Sequence, residues 1–400
     1  MGDSTLRVGI VGCGARAPLA RHAELPENDG IITAVCEPHP DALARVERQL
    51  RRNADQLAIT ATVAELIATG IDVAFVTSPD DTHAEVTCEL LKAGIPVYLE
   101  KPLAITLEGA TAILRTAYES GTRLYVGHNM RHMNVVRRMR ELIQAGEIGE
   151  VKAIWCRHFV GSGGDFYFKD WHAEREHTTG LLLQKAAHDI DVMHWLAQAH
   201  TTEVVAMGGL TLYDQVASRA DHNHELMGQW YSLSNWPPLS QTGLNPVIDV
   251  EDISMMLMRM NTGVFASYQQ CHYTPDYWRN YTVIGTEGRL ENFGDGEGGH
   301  ISLWNTRTHY RPDGDVQYPI IGDAHGHGDA DVLTVTEFFR FVRSGTPTDT
   351  NPLGAWYAVA AGICATDSLR NGSQPRQIPA VDPVLIDYFT AGQTQPPLAQ

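Results

Sequence analysis

Four hundred residues exceed what one hydrophobic core ordinarily carries, so two domains are expected, and an apolar fraction of 43% with 20% charged residues is that of an ordinary globular chain. The net charge of −18, from 30 basic and 48 acidic residues, excludes the usual electrostatics of nucleic-acid and anionic-membrane partners. No run of eighteen apolar residues is present, so no segment reads as a membrane span. Met1-Gly2-Asp3-Ser4-Thr5 leads directly into a strand pattern, without the basic flank and apolar stretch of a secretion signal. Cys13, Cys36, Cys88, Cys156, Cys271 and Cys364 are widely spaced, with no CxxC pair, and read as reduced thiols of a cytoplasmic protein.

Leu6-Arg7-Val8-Gly9-Ile10-Val11 is a short apolar strand followed by Gly12-Cys13-Gly14-Ala15-Arg16-Ala17, a GxGxxA loop. The first glycine permits a tight turn, the second lets backbone approach a pyrophosphate, and the small Ala17 allows close helix–strand packing. Phosphate is expected at the following helix N-terminus. The strand Ile31 to Cys36 ends in Glu37, twenty residues past Ala17, where a carboxylate suits the ribose hydroxyls of NAD and repels a 2′-phosphate. Arg16 is the counter-signal, a guanidinium able to receive that phosphate. Strands Val73–Thr77, Ile95–Leu99 and Leu124–Val126 alternate with helices Ala84–Ala93 and Leu107–Glu119, which predicts a doubly wound parallel sheet over residues 1–127. The Thr77 to His83 loop faces the ligand edge of such a sheet, so Ser78, Pro79 and His83 join Gly12, Gly14, Ala15, Arg16 and Glu37 as candidate cofactor contacts; Asp81 or Thr82 is the expected helix cap. Tyr98-Leu99-Glu100-Lys101-Pro102 carries an acid and an ammonium group out of a buried strand at the same edge, where open parallel sheets bind ligands, so Glu100 and Lys101 are further candidate cofactor contacts and Lys101 a candidate substrate contact as well.

Residues 128–400 change texture. His128 and Asn129 follow the last parallel strand and precede a helix bearing Val135, Val136, Met139, Leu142 and Ile143. Longer strands are expected at Val151–Phe159, Glu203–Leu212, Ile253–Met260, Val264–Gln270, Arg279–Ile284, Leu290–Phe293 and Ile301–Asn305, forming a mainly antiparallel sheet in an α+β domain. Tyr213 to Ile248 is a long polar segment, the kind of loop that serves as a lid or an interface arm. Helices are expected over Val332–Arg343 and Ala355–Leu369. His325-Gly326-His327-Gly328-Asp329 contains metal-ligand residue types that before a helix also serve as caps and pocket lining, and Asp221-His222-Asn223-His224 lies in the polar segment with no third anchor, so no metal is expected.

The run from Leu181 to Leu196 reads as one buried helix, with Leu182, Ala186, Ile190, Met193 and Ala197 on a single stripe. Gln184, Lys185 and His188 share another face. A lysine buried on an apolar helix is costly unless that face opens on a polar cavity, which makes Lys185 and His188 catalytic candidates. Asp189 and Asp191 read as capping or ion-pair partners. Trp171 and His172 lie in a glycine-rich aromatic loop before this helix, and Tyr277 belongs to a second aromatic cluster; both are candidate substrate contacts.

Together, the GxGxxA loop, Glu100-Lys101-Pro102, the His188-Asp189-Ile190-Asp191 helix and the strand end Ile284-Gly285-Thr286-Glu287-Gly288 resemble the Gfo/Idh/MocA oxidoreductases. The resemblance implies a Rossmann domain, an α/β domain on an open sheet that often forms an oligomer interface, a nicotinamide cofactor (NAD, with NADP possible) and a sugar, inositol or related polyol substrate. By position it makes Lys101 the motif lysine and His188 the catalytic histidine, with Lys185 beside it, and adds His128, Asn129 and Gln184 to the substrate contacts. Many members carry aspartate where this chain has Gln184. The expected activity is hydride transfer between a secondary alcohol and the nicotinamide; a redox-neutral, NAD-dependent glycosidase is the alternative. The expected partners are a small-molecule substrate and further copies of the chain.

Overall fold

The alternating apolar runs of the N-terminal half become a six-stranded parallel sheet. A computed structural model describes residues 5–51, 53–222, 225–322 and 328–394. Its strands are β1 (Leu6–Val11), β2 (Gly30–Cys36), β3 (Ala58–Thr60), β4 (Val73–Val76), β5 (Val97–Leu99) and β6 (Leu124–Val126), in the order β3-β2-β1-β4-β5-β6. Every ladder is parallel, and the order reverses between β1 and β4. Their carboxyl ends therefore flank the crevice where doubly wound sheets take ligands. β5 is shorter than the sequence suggests: Pro96 has no N–H for the ladder and only its carbonyl participates, accepting from Ala74 N–H at 3.0 Å. The short edge strand β3 was not among the expected elements. Helices α1 (Ala42–Leu50), α2 (Val63–Ala68), α3 (His83–Lys92) and α4 (Leu107–Ser120) connect the strands. Thr62 and Glu65 close a capping box at α2, and Thr106 caps α4 by accepting from Gly109 N–H. Where a helix was expected after the glycine loop, the chain makes a 3-10 helix over Ala17–Glu24 with i→i+3 bonds such as Leu19 N–H to Arg16 O at 3.0 Å.

A division at 127/128 is redrawn by the structure. The first compact unit comprises Met1–His128 together with Asp331–Val359 and Ala380–Gln400. The reason is apolar burial. Val335, Phe338, Phe339 and Val342, on the helix Gly328–Ser344, belong to the same core cluster as Phe75, Tyr98 and Tyr125. The Phe338 ring stands edge-on to Phe75 at 5.6 Å and to Tyr98 at 5.7 Å. Tyr98 Oη donates to Thr334 Oγ1 at 3.1 Å and Tyr125 Oη to Glu337 Oε2 at 2.8 Å, so both buried phenols are satisfied.

The second unit, Asn129–Ala330 with Ala360–Pro379, is built on nine strands. These are β7 (Val151–Phe159), β8 (Thr201–Gly209), β9 (Ile253–Met260), β10 (Phe265–Cys271), β11 (Trp278–Gly285), β12 (Arg289–Phe293), β13 (His300–Trp304), β14 (Val316–Pro319) and β15 (Arg376–Gln377). Their order is β14-β13-β12-β11-β7-β10-β9-β8-β15, antiparallel throughout except where β7 meets β10. β14 and β15 extend the expected sheet at its two edges. Period-two alternation divides its faces: in β9, Met256, Met258 and Met260 are buried whereas Met255 and Leu257 are exposed. Trp155, Met207 and Phe265 are also exposed large apolar residues of this sheet.

The helix expected from Leu181 onward is interrupted. It comprises α8 (Leu181–Gln184) and α9 (Ala186–Ala197) with Lys185 at the junction, and it follows the short helices α6 (Gly163–Tyr167) and α7 (Arg175–Thr178), counting Asn134–Gln144 as α5. Gly362, on the helix Pro352–Arg370, passes so close that a β-carbon there would lie 2.6 Å from Leu182 O. Among its described residues, the polar segment after β8 holds the 3-10 turns Tyr213–Gln215, Met227–Gln229 and Pro238–Ser240. Its ends are pinned. The Asp252 carboxylate accepts from the N–H groups of Thr211, Leu212 and Tyr213 at 2.8–3.0 Å. The buried Asp165 carboxylate, ion-paired to Lys169 at 3.0 Å, accepts from Asn235 Nδ2 at 2.7 Å and Gln241 Nε2 at 3.2 Å.

Candidate active site

In the first unit, the glycine loop turns at Gly12, whose φ of +85° disfavours any side chain, and a β-carbon there would lie 2.5 Å from Ser78 Cα. Thr77 Oγ1 donates to Gly12 O at 2.7 Å and closes the approach between the ends of β1 and β4. At Gly14 the reverse holds: a β-carbon would meet nothing within 4 Å, so this side of the loop is open. Glu37, at the end of β2, is buried and fixed. Its Oε2 accepts from Cys13 N–H at 2.8 Å and its Oε1 from His39 N–H at 3.0 Å. A turn open at Gly14, with an acid held beside its backbone, fits a dinucleotide: the loop N–H groups suit the pyrophosphate and the acid suits a ribose diol.

At this edge several of the expected side chains are engaged with protein partners. Arg16 was the candidate phosphate partner, but its guanidinium pairs with Glu100 at 2.7 Å and with Asp331 at 2.8 Å, through four hydrogen bonds in all. Glu100, a candidate cofactor contact, is buried in that cluster, and its second oxygen accepts from Lys101 N–H at 3.2 Å. His83 is buried as a brace, with Nδ1 2.7 Å from Pro102 O and Nε2 3.1 Å from Ser78 O, so it ties together the two loops that bear Ser78 and Lys101. Thr82, the N-cap residue of α3, makes no side-chain cap bond; its Oγ1 instead lies 2.6 Å from Ser78 Oγ and donates to Pro79 O at 2.7 Å, because the 3-10 turn Asp80–Thr82 precedes the helix. Lys101, at the carboxyl edge after β5, is half-buried, and the Lys101–Pro102 peptide is cis. His128 and Asn129, after β6, are buried.

In the second unit, α9 is fixed by its first acid. The wholly buried Asp189 carboxylate pairs with Arg279 Nε at 3.0 Å and lies 2.9 Å from His158 Nδ1. It also accepts from Tyr268 Oη at 3.1 Å and from Tyr281 Oη. Burial raises this carboxylate, but the Arg279 cation, the largest favourable cause, and three hydrogen-bond partners hold it well below the usual carboxylate range. His158 is pushed down to about 3, by burial first and then by the Arg279 cation, and so is neutral. Asp191 pairs with Arg131 at 2.5–2.7 Å. With Asp189 turned to the sheet, the preceding residue points about 100° around the helix from it. That residue is His188, which is 7% exposed.

Lys185, at the break before α9, has its ammonium 5.7 Å from the centroid of the Tyr167 ring. That ring is a hub. His172 stands edge-on to it at 5.6 Å and His272 at 5.2 Å. Trp171 stacks on His172 at 3.7 Å, and Asp170 Oδ1 lies 2.6 Å from His172 Nδ1. Tyr277 packs edge-on to His158 at 5.4 Å and under the Arg279 guanidinium at 5.5 Å. Gln184 is buried at the end of α8. Thus Lys185, Trp171 and His172 of the expected set gather around Tyr167, while Tyr277 belongs to the His158–Arg279 cluster. Tyr167, Asp170 and His272 were missed. For Asp170 a signal existed, an acid two residues before an imidazole; for Tyr167 and His272 none distinguishes them from core aromatics. His222, from the dismissed metal motif, is used structurally, with Nε2 2.8 Å from Gly243 O and Nδ1 3.1 Å from Glu225. His325 and His327 of the other motif, and His224 of this one, lie outside the described residues.

Comparison with known proteins bears on both units. Residues 6–128 match the oxidoreductase family with an NAD-binding Rossmann fold, and residues 136–291 match the GFO/IDH/MocA C-terminal domain. The chain is 31% identical over 196 residues to inositol 2-dehydrogenase/D-chiro-inositol 3-dehydrogenase of Halalkalibacterium halodurans, covering 48% of this chain and 53% of that protein. It is 28% identical over 221 residues to 1,5-anhydro-D-fructose reductase of Ensifer adhaerens, covering 55% and 56%. These matches span about half the length of each relative. Among solved structures, levoglucosan dehydrogenase in complex with NADH and levoglucosan superimposes with a TM-score of 0.75 at 18% identity, covering 94% of this chain and all of that one, and so shares the fold. With a parallel dinucleotide sheet, a mixed nine-stranded sheet and both family domains in order, this chain belongs to the GFO/IDH/MocA family of oxidoreductases.

Proposed function

We propose that the protein is an NAD-preferring dehydrogenase of a sugar, inositol or related polyol. The observation that carries the cofactor preference is Glu37, whose carboxylate is held beside the glycine loop by two backbone N–H groups. A fixed negative charge there favours a ribose diol over a 2′-phosphate. Arg16, the one nearby guanidinium that argued otherwise, is committed to Glu100 and Asp331. The substrate class is supported by the inositol, anhydrosugar and levoglucosan enzymes this chain resembles.

The nicotinamide, when bound, supplies the hydride acceptor. His188 is the general base, taking the hydroxyl proton as the carbonyl forms, since an imidazole suits proton transfer near neutrality. Lys101, at the carboxyl edge of the first unit's sheet, is the ammonium donor that stabilises negative charge developing on a reacting oxygen. Lys185 adds a second cation on the chain beside His188 and opposes protonation of its neighbours. Trp171, His172 and Tyr277 contribute aromatic and imidazole surface to the substrate. The exposed face of the nine-stranded sheet, with Trp155, Met207, Met255, Leu257 and Phe265, is the proposed contact with a second copy of the chain.

The deciding experiment screens inositols, monosaccharides and anhydrosugars with NAD and NADP separately, following reduced nicotinamide by absorbance. Accumulation with NAD supports the reading. Equal efficiency with both cofactors overturns the role of Glu37, and glycoside cleavage without accumulation favours the redox-neutral alternative. His188→Ala is expected to lower kcat by about 10²–10⁴-fold.

A further inference from the structure

The loop before α8 contains a histidine–carboxylate pair that the hydride-transfer chemistry does not require. His172 Nδ1 lies 2.6 Å from Asp170 Oδ1, and the same oxygen accepts from His172 N–H at 3.2 Å. Asp170 is only 8% exposed and caps the 3-10 turn Trp171–Ala173, so the acid is fixed by local backbone. The ring is held from two further sides, stacked on Trp171 and edge-on to Tyr167. A carboxylate only accepts, so this contact places a proton on Nδ1, and an imidazole that carries its single proton there presents a lone pair at Nε2. Beyond the bonds to Asp170, the ring makes no hydrogen bond among the described residues, and the side chain is 15% exposed. Across the same Tyr167 ring, the Lys185 ammonium is a donor only.

We propose that Asp170 is a positioning residue that fixes His172 as a hydrogen-bond acceptor, and that His172 and Lys185 together read hydroxyl groups of a neutral ring polyol, with one hydroxyl donating its proton to His172 Nε2. This rests on the dehydrogenase reading and deepens it. A site arranged to accept from a hydroxyl rejects an analogue that cannot donate, because the acceptor that the bound ring covers is then left unpaired. Fluorine in place of that hydroxyl receives a hydrogen bond from a lysine but has none to give. A carboxylate substituent at this position meets the Nε2 lone pair and is disfavoured.

The test uses the full chain with NAD and three probes, myo-inositol, D-glucose and levoglucosan, each beside its set of monodeoxyfluoro analogues. For a turned-over probe, one ring position is expected at which fluorine lowers kcat/KM of the wild type by at least about tenfold. In His172→Phe that ratio collapses towards one, chiefly through a higher KM for the parent polyol. Asp170→Asn is expected to give the same collapse with His172 in place, because an amide permits the other tautomer. Nitrogen-15 spectra of histidine-labelled protein, assigned by the signal lost in His172→Phe, report the tautomer without any substrate, and a proton on Nε2 alone in the wild type overturns the proposal. An unchanged hydroxyl-to-fluorine ratio in His172→Phe overturns it too. If the wild type turns over none of the probes, the dehydrogenase reading itself fails in that column, and this inference falls with it.

Discussion

Glu37 is a single side chain with a switchable consequence. Its two acceptor bonds are to backbone, so a replacement loses the charge without removing a packing group. Glu37→Ser is expected to raise the ratio of NADP to NAD efficiency by at least about tenfold, because repulsion of the 2′-phosphate is removed; steady-state kinetics with each cofactor measure it. His272 makes the opposite trade. It is wholly buried, and neither ring nitrogen has a hydrogen-bond partner among the described residues. Burial holds its imidazole well below the usual histidine range, with His158 and Lys185 adding to the effect. An unpaired buried polar group costs about 1–3 kcal/mol. His272→Phe is therefore expected to hold or raise the unfolding midpoint, read by thermal denaturation.

At the scale of the element, α9 depends on the Asp189 hub. Asp189→Ala leaves the Arg279 cation buried without its main partner, and such losses run to about 3–5 kcal/mol. Urea unfolding is expected to show that loss. The same region dictates an acid sensitivity. His158, pushed down to about 3, and His272, also lowered, are neutral in the folded protein but take a proton in the unfolded chain below about pH 6.5. The unfolded state then binds more protons, so their contribution is complete above about pH 6.5 and declines on acidification, by up to about 1.4 kcal/mol per pH unit for each group. Asp189, held low, adds a loss of the same sign below about pH 4. Unfolding free energies at pH 7 and pH 5 test this, and His272→Phe is expected to show the shallower slope.

For the whole molecule, the return of the C-terminal helices to the first unit is the main departure from a simple two-part chain. Phe338 contacts Phe75, Tyr98 and Tyr125 within one aromatic cluster. Phe338→Ala is expected to cost about 3–5 kcal/mol, measured by denaturant unfolding, although the residue lies more than 200 positions from those rings. The exposed sheet face sets the expected assembly. Leu257 and Phe265 are 63% and 55% exposed on neighbouring strands, and Leu257→Asp with Phe265→Asp is expected to shift the chain to a monomer in light scattering.

Much of this architecture was legible in the residues because its signals are local. Strand and helix periods and the glycine at a left-handed turn depend on neighbours within a few positions. The division of the dinucleotide sheet and the placement of Glu37, Lys101 and His188 on their elements followed from such patterns. Charge partnership did not. Arg16 reads as a phosphate ligand until the chain brings Glu100 and Asp331, 84 and 315 positions away, to its guanidinium. Asp189 becomes a hub only when three strands supply Tyr268, Tyr281, His158 and Arg279. Sequence by itself determined the elements and the chemistry available at their ends, whereas the tertiary structure decided which polar groups are spent on one another, because a buried charge is settled by whatever distant residue the fold lays beside it.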